Sequence, residues 1–127
     1  CIGTGILTAD EEALLAAQLV APDMASRWGL RTMATDEGGF WPLSYHCGSV
    51  WPHDTGVVIE GMLRAGLRSE AAALAARLLD AAEAFSWRMP ELFSGDDLPS
   101  PVAYPASCRP QAWSAAAVVA VAEALSS

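Results

Sequence analysis

The side chains with the most chemical potential lie in one short stretch, residues 45–55, with the sequence YHCGSVWPHDT. Both histidines of the chain fall there, together with a cysteine, an aspartate, a tryptophan and a tyrosine. The flanking segments are rich in Ala, Leu and Val, which carry no reactive groups. A second polar and aromatic stretch, residues 90–97, has the sequence PELFSGDD. We expect the two stretches to be loops on one face of a helical scaffold.

Zinc binding is the first chemistry to test, because His46, Cys47, His53 and Asp54 are all potential ligands. The two histidines are separated by six residues across an expected loop-to-helix boundary. That spacing matches no standard zinc motif, and the chain has no CxxC pair. We therefore predict no metal and no cofactor, with histidines that hydrogen-bond a polar ligand or the loop backbone.

Nucleophilic catalysis by Cys47 or Ser49 is a minor alternative. Each residue has a histidine nearby in the sequence, but nearness in sequence is not nearness in space. The GxSxG motif of a nucleophile elbow is absent.

Carboxylates offer a better basis for catalysis, because glycoside hydrolysis needs two of them facing each other across a sugar. Glu91 follows a proline and precedes Leu92 and Phe93, so it lies on a stiff path that holds its orientation. Asp54 either takes part in the site or stabilises the first turn of a helix through the helix dipole. Asp96 and Asp97 follow a glycine and are typical turn residues.

The five tryptophans all fall in loops or at expected helix starts: Trp28, Trp41, Trp51, Trp87 and Trp113. A flat aromatic ring suits the apolar C–H face of a sugar. Any one of these residues could instead pack against the rim of the core. Five at one rim favour a carbohydrate site.

Local signals predict three helices in the first two thirds of the chain. A capping box, TADE, starts the first helix at Thr8, and the helix ends near Val20 before a proline. The second begins between Ser49 and Pro52, with Ser49 as N-cap, and ends at Gly66. Ser69 caps the third, at about residues 70–85. The connection between the second and third helices is short, so we expect antiparallel neighbours.

The last helix should run from Gln111 to about Leu125. It is apolar nearly all round, which predicts that it is buried. Residues 28–49, with one short strand at 28–33, and residues 87–110 read as long irregular loops. Each leads into a helix that starts at a proline, at VWPHD and at RPQAW. This repetition predicts an all-α fold of helical hairpins, either a solenoid or a closed α/α toroid.

The composition restricts the partners. The net charge is -8, and the seven basic residues are all scattered arginines, which excludes a nucleic-acid surface. The most apolar run, residues 115–125, is shorter than the roughly 20 residues that span a bilayer, so no membrane partner is expected. Three widely spaced cysteines do not form a disulfide framework, which predicts a cytoplasmic location.

The charged fraction of 17% is low against about 25% in an ordinary domain. Much of the surface is therefore expected to be covered by further chain or by a partner. The chain also begins at Cys1 without a methionine, which suggests a cut start.

Four ordered blocks together carry a family resemblance: RWGLRT at 27–32, YHCGSVWPHD at 45–54, MPELFSG at 89–95 and RPQAWSAA at 109–116. They resemble the C-terminal half of the glycogen debranching enzyme (amylo-alpha-1,6-glucosidase) family. The resemblance implies a six-hairpin (α/α)6 toroid of which residues 1–127 form the C-terminal part. It also implies inverting hydrolysis of an α-glucosidic bond, with an α-glucan or oligosaccharide as partner.

The resemblance also implies roles for individual residues. Glu91 matches the general base, and the general acid, usually an aspartate, lies upstream of Cys1. The residues expected to bind the substrate are Trp28, Tyr45, His46, Trp51, His53, Asp54, Gln111 and Trp113. Cys47 stands where the family is expected to have an asparagine, so a weak donor replaces an amide.

Two readings of the function remain open. Either the chain is the catalytic C-terminal portion of a glycoside hydrolase, or it is a truncated helical domain that at most binds sugar. In both cases we expect the isolated chain to be inactive, because the first carboxylate and half of the toroid are missing. We also expect it to self-associate, because helices without their neighbours expose apolar faces.

Overall fold

A computed structural model describes residues 1–126 as a mostly helical fold. The elements are α1 (Ala9–Val20), β1 (Ala25–Ser26), β2 (Gly29–Leu30), α2 (Pro52–Arg64), α3 (Arg68–Ala84), α4 (Ala112–Ala116) and α5 (Val118–Leu125). The predicted helical fold class is confirmed. No helix within residues 1–126 has the length and apolar character needed to cross a membrane.

The first helix begins at the predicted capping box. The Glu11 N–H donates to Thr8 Oγ1 at 3.4 Å, and the Thr8 N–H donates to Glu11 Oε2 at 2.8 Å. The bonds from the Thr8 backbone and then from its side chain lower the pKa of Glu11 below 4.5. Because these bonds favour the charged carboxylate, their stabilising effect is complete above pH 4.5. It is lost as the pH falls through the lowered pKa.

The helices α2 and α3 form the central hairpin. As predicted, Pro52 is the first residue of α2, where its missing N–H leaves no bond unmade. The helix ends in a Schellman motif: Leu67 N–H donates to Met62 O at 2.9 Å, and Gly66 N–H donates to Leu63 O at 3.0 Å. Gly66 has a φ of +78°, which glycine adopts without a Cβ clash. The short connection brings α3 back against α2.

The two serines predicted as N-caps do not cap these helices. The N-cap of α2 is Trp51 and that of α3 is Leu67, and neither side chain bonds the first turn. Ser49 lies too far ahead of α2, and its hydroxyl bonds a loop carbonyl. Ser69 lies inside the first turn of α3, and its hydroxyl donates to the neighbouring Glu70 carboxylate at 2.7 Å.

The predicted last helix is divided at Ala117 into α4 and α5. α5 packs against α2 and α3 through a buried side formed by Ala120, Val121 and Ala124. The prediction of burial all round is wrong for this chain, because Val118 is 61% and Val119 is 66% exposed. α2 and α3 cover one side of α5, and its other side is an exposed apolar surface.

Short β-pairings connect the long loops. The strand predicted within residues 28–33 is only two residues long, and it pairs antiparallel with β1. Beyond it, isolated bridges join Arg31 to Val50, Val50 to Phe93, and Phe93 to Ala103. Val50 and Phe93 exchange two backbone hydrogen bonds, at 2.8 and 3.0 Å. Segments from distant parts of the chain therefore lie side by side.

Arg31 is a buried cation at the start of this series of bridges, with 3% of its surface exposed. Its Nε donates to Gly95 O at 2.7 Å, its Nη1 to Pro22 O at 2.8 Å, and its Nη2 to Asp97 Oδ2 at 2.7 Å. Asp97 also accepts the Arg27 N–H at 2.6 Å. Arg31 thus joins the segment after α1 to the second long loop, residues 87–110.

The carbonyl bonds of Arg31 should matter more than its ion pair. We expect Arg31→Leu to destabilise the chain by about 3–5 kcal/mol, because the buried Gly95 carbonyl and the Pro22 carbonyl lose their donor and Asp97 loses its counter-charge. Asp97→Asn should cost about 1 kcal/mol or less, because the Asp97 side chain is 59% exposed. Urea unfolding followed by circular dichroism measures both free energies. Equal losses in the two variants would contradict this ranking.

Candidate active site

Glu91 lies on a backbone segment that is fixed on both sides. Its N–H donates to Cys108 O at 2.9 Å. Two residues later, Phe93 is fully buried and paired with Val50. Pro90 precedes Glu91 and is also fully buried. The position of the Glu91 backbone is therefore set by its neighbours, while its side chain is partly exposed to solvent.

The Glu91 carboxylate meets the first chemical stretch at Tyr45. The Tyr45 hydroxyl donates to Glu91 Oε1 at 3.3 Å, across 46 residues of sequence. This contact brings together the two stretches that the sequence singled out. It confirms that they lie on one face of the fold.

Four rings form what we term the aromatic cluster: Tyr45, His46, Trp51 and Tyr104. The Tyr45 ring makes edge contacts with the other three, at centroid distances of 4.6 Å to His46, 4.7 Å to Trp51 and 5.9 Å to Tyr104. His46 and Trp51 are stacked with an interplanar angle of 9°. The cluster thus places flat and partly exposed aromatic surface next to a carboxylate.

The backbone of Tyr45 is anchored as firmly as its ring. Its carbonyl accepts the indole N–H of Trp51 at 2.9 Å and the hydroxyl of Ser49 at 3.0 Å. Trp51 Nε1 also donates to Ser49 Oγ, at 3.1 Å. Ser49 therefore ties the loop to the residue that precedes α2, and it has no role as a helix cap.

The environment of Tyr45 favours its neutral phenol. Partial burial raises the pKa of Tyr45 above 10.0, and the charge and hydrogen bond of Glu91 raise it further, followed by Tyr104 and Cys108. The folded state therefore prefers protonated Tyr45. The stability that the protonated Tyr45 contributes is complete below pH 10.0 and is lost as the pH rises through the raised pKa of Tyr45. At neutral pH Tyr45 is a hydrogen-bond donor.

A second stacked pair lies at the starts of α2 and α4. His53 and Trp113 have a centroid distance of 5.7 Å and an interplanar angle of 28°. The Gln111 N–H, just before α4, donates to Met89 O at 3.0 Å. This bond holds the start of α4 beside the segment that carries Glu91. Asp54 is exposed in the first turn of α2, where its negative charge interacts favourably with the helix dipole.

Trp28, predicted to bind substrate, lies in the core. It is only 5% exposed, and its indole N–H donates to Leu98 O at 3.0 Å. No ring contact or hydrogen bond within residues 1–126 joins it to the aromatic cluster. Two other carboxylates already have partners: Asp97 pairs with Arg31, and Asp96 accepts the Ser94 hydroxyl at 2.5 Å.

Tyr104 is a member of the cluster that the sequence interpretation missed. It lies in the second long loop, between Pro101 and Pro105. An aromatic residue between prolines is held on a stiff path, which is the signal that could have identified it.

An apolar groove of about 280 Å³ lies between α3 and the α4–α5 pair. Its lining includes Leu79, Trp87 and Val118, and no acidic or basic side chain. Without a titratable group this groove cannot supply acid–base chemistry, whereas the Glu91 region carries a carboxylate beside aromatic rings. Among the described residues, no group of three or more His, Cys, Asp or Glu side chains could hold a metal ion.

Two glycines allow the site loops to approach each other. The Gly95 N–H donates to Pro42 O at 2.9 Å. A Cβ added at Gly95 would lie 1.9 Å from Gly48 O, and one added at Gly48 would lie 2.6 Å from Trp41 O. Both contacts are with backbone atoms, which cannot rotate away. The close fit of these loops fixes the register between Tyr45 and Glu91.

One comparison with known proteins gives a family. The family model described as mannosylglycerate hydrolase MGH1-like glycoside hydrolase domain matches residues 1–88. The match covers well over half of the 127 residues and includes the 45–55 stretch, whereas Glu91 and Tyr104 lie beyond it. No curated protein matches the chain.

The loop contact at Gly95 gives a direct test of this packing. We expect Gly95→Ala to destabilise the chain by about 1–3 kcal/mol, because the new methyl group must displace the backbone at Gly48. The matched control is Gly38→Ala, where an added Cβ meets nothing within 4 Å; its effect should stay within about 0.5 kcal/mol. Thermal unfolding measures both. A neutral Gly95→Ala would show that the loops are not tightly packed.

Proposed function

The chain belongs to the mannosylglycerate hydrolase MGH1-like glycoside hydrolase family, and we propose that it supplies the general base of an inverting glycoside hydrolase. Glu91 is the proposed base. The observation that carries the proposal is the Glu91 carboxylate, hydrogen-bonded by Tyr45 within a cluster of partly exposed rings. A carboxylate beside aromatic surface matches what glycoside hydrolysis requires on one side of the sugar.

In the proposed reaction, Glu91 removes a proton from a water molecule as the water oxygen bonds to the anomeric carbon. The glycosidic C–O bond breaks, and the leaving oxygen takes a proton from a second carboxylic acid. In inverting enzymes these two carboxyl groups stand about 6.5–9.5 Å apart, which leaves room for the water. The sugar product then has the opposite anomeric configuration.

We propose that the second carboxylic acid lies outside residues 1–127. Asp96 and Asp97 are engaged with Ser94 and Arg31, which leaves them poorly suited to donate a proton to a substrate. The sequence resemblance also implies an acid upstream of Cys1. On this proposal residues 1–127 are the C-terminal part of a six-hairpin catalytic domain, and the exposed apolar side of α5 fits a surface covered by further hairpins.

The proposed sugar-binding residues form two aromatic surfaces, and the first of them contacts Glu91 through Tyr45. Tyr45, His46 and Trp51 form one aromatic surface, and the stacked pair of His53 and Trp113 forms another at the starts of α2 and α4. Gln111 and Asp54 lie at these helix starts and offer hydrogen bonds to sugar hydroxyl groups. Trp28 is buried in the core and is not proposed to contact the sugar.

A neutral α-glucoside, as in a debranching amylo-alpha-1,6-glucosidase, is the substrate we favour. The Glu91 carboxylate is partly exposed and the Asp54 carboxylate is exposed. Arg109 is directed to the carbonyls of Phe85 and Arg88. The carboxylates of Glu91 and Asp54 disfavour a substrate with an anionic aglycone. The second candidate is mannosylglycerate, which the description of the matched family model names.

We also propose a cytoplasmic location, which the three free cysteines support. The alternative function is a helical domain that binds sugar without catalysis. The two functions differ in whether Glu91 is needed for turnover or only for binding.

The first test is kinetic and uses a longer protein that contains residues 1–127 and the proposed upstream hairpins. Glu91→Gln should lower kcat by about 100- to 10,000-fold, because the general base is lost. The matched control, Asp96→Asn, removes a carboxylate five residues away and should keep nearly full activity. Assays with a branched α-glucan and with mannosylglycerate separate the two substrates, and proton NMR of the first product anomer tests inversion. Full activity of Glu91→Gln would refute its role.

The second test uses the isolated chain. We expect it to release no sugar but to bind α-glucan oligosaccharides, with binding weakened at least about tenfold by Trp51→Ala, since an aromatic contact in a binding site often contributes more than 1 kcal/mol. Intrinsic tryptophan fluorescence measures the affinity. Hydrolysis by the isolated chain that Glu91→Gln abolishes would show that the general acid lies within these residues.

A further inference from the structure

We propose that Tyr45 is a positioning residue that holds the Glu91 carboxylate in one orientation and leaves Oε2 free to accept the proton from water. This inference rests on the proposed role of Glu91 as general base. It assigns different tasks to the two carboxylate oxygens. Oε1 accepts the Tyr45 hydroxyl at 3.3 Å, so the second oxygen is the one available to the reacting water.

Glu91 needs such a partner because its side chain is long and only partly buried. Its backbone is fixed by the bond to Cys108 O, but that bond does not restrain the side-chain torsions. A free glutamate side chain samples many rotamers, and restricting it costs up to about 2 kcal/mol. A hydrogen bond from a fixed donor selects one of these rotamers before the substrate arrives, which is the basis of catalytic pre-organisation.

Tyr45 is suited to this task because it is held from three sides. His46 lies 4.6 Å, Trp51 4.7 Å and Tyr104 5.9 Å from its ring centroid. Its carbonyl accepts bonds from Trp51 and Ser49 at 2.9 and 3.0 Å. The hydroxyl is therefore aimed by both its ring and its backbone, and the Glu91 carboxylate must adjust to it.

The phenol also stays in the form that can donate. The titratable groups that influence it are Glu91, Tyr104 and Cys108, and His46 packs against its ring. The raised pKa of Tyr45 keeps its hydroxyl protonated throughout the neutral range. A 3.3 Å contact is long for two oxygens, and such contacts in enzymes without substrate often shorten when substrate binds.

The competing explanation is that Tyr45 only offers its ring to a sugar. With 40% of its surface exposed, the ring could do so. The two roles predict different variants. If the hydroxyl positions Glu91, Tyr45→Phe damages turnover although the ring remains. If only the ring matters, Tyr45→Phe is harmless and Tyr45→Leu weakens binding.

The first experiment measures the coupling between the two residues in the 127-residue chain, without any need for activity. The chain has two tyrosines, so the Tyr104→Phe background leaves Tyr45 as the only one. Its titration is followed by tyrosinate absorbance. Adding Glu91→Gln should lower the pKa of Tyr45, because the negative charge is removed and an amide oxygen, a weaker acceptor, replaces the carboxylate. Adding Asp96→Asn, the matched control, should leave it unchanged.

The second experiment measures steady-state kinetics in the longer protein. Tyr45→Phe should lower kcat about tenfold, a part of the 100-fold or more that acid–base catalysis contributes, with KM changed less than about twofold. Tyr45→Leu should lower kcat to a similar degree and also raise KM. Circular dichroism checks that each variant is folded.

Each result bears on one of the two proposals. Coupling in the titration together with a fall in kcat at constant KM supports a positioning role. Absence of coupling overturns it, and so does a Tyr45→Phe variant with unchanged kcat. If Glu91→Gln is fully active, the proposed base is wrong, and the positioning role in catalysis falls with it. The titration still reports separately whether the Tyr45–Glu91 bond exists.

Discussion

The buried guanidinium of Arg31 is the interaction on which the arrangement of the loops depends. A charged group with 3% exposure is tolerated in a core only if its donors are paired. Here the donors reach carbonyls on both sides, Gly95 in the second long loop and Pro22 after α1, and one carboxylate, Asp97. Because these partners are far apart in sequence, satisfying one side chain fixes the relative position of both segments.

A series of backbone bridges connects Arg31 to the segments that carry the site. Arg31 is bridged to Val50, Val50 to Phe93, and Phe93 to Ala103. Val50 immediately precedes the tryptophan of the aromatic cluster, and Phe93 lies two residues after Glu91. Helices α2 and α3 form the packed scaffold, whereas the β-bridges align the loops. Tyr45 and Glu91 belong to these loops, so their contact depends on the register between the loops and not on helix packing.

The family match and the sequence resemblance overlap in the first two thirds of the chain and differ beyond it. The family model matches residues 1–88, whereas the sequence resemblance continues to residue 116 and includes the Glu91 segment. Glu91, Tyr104 and Gln111 lie outside the residues that the family model matches, so that match supports no role for them. The Glu91 and Gln111 N–H groups bond the carbonyls of Cys108 and Met89, so the two segments run side by side at one rim of the fold.

The sequence by itself determined the local structure. The capping box at Thr8, the proline that starts α2 and the glycine that ends it act over three or four residues, so they can be read directly from the chain. It also singled out the two stretches that meet, and Glu91 within one of them. It could not determine which distant side chains share an environment. Trp28 joins the core, Tyr104 joins the cluster and α5 keeps an exposed side, because burial depends on which segments pack together. The Tyr45–Glu91 contact spans 46 residues, and only the tertiary register, held by backbone bridges and the bonds of Arg31, decides it.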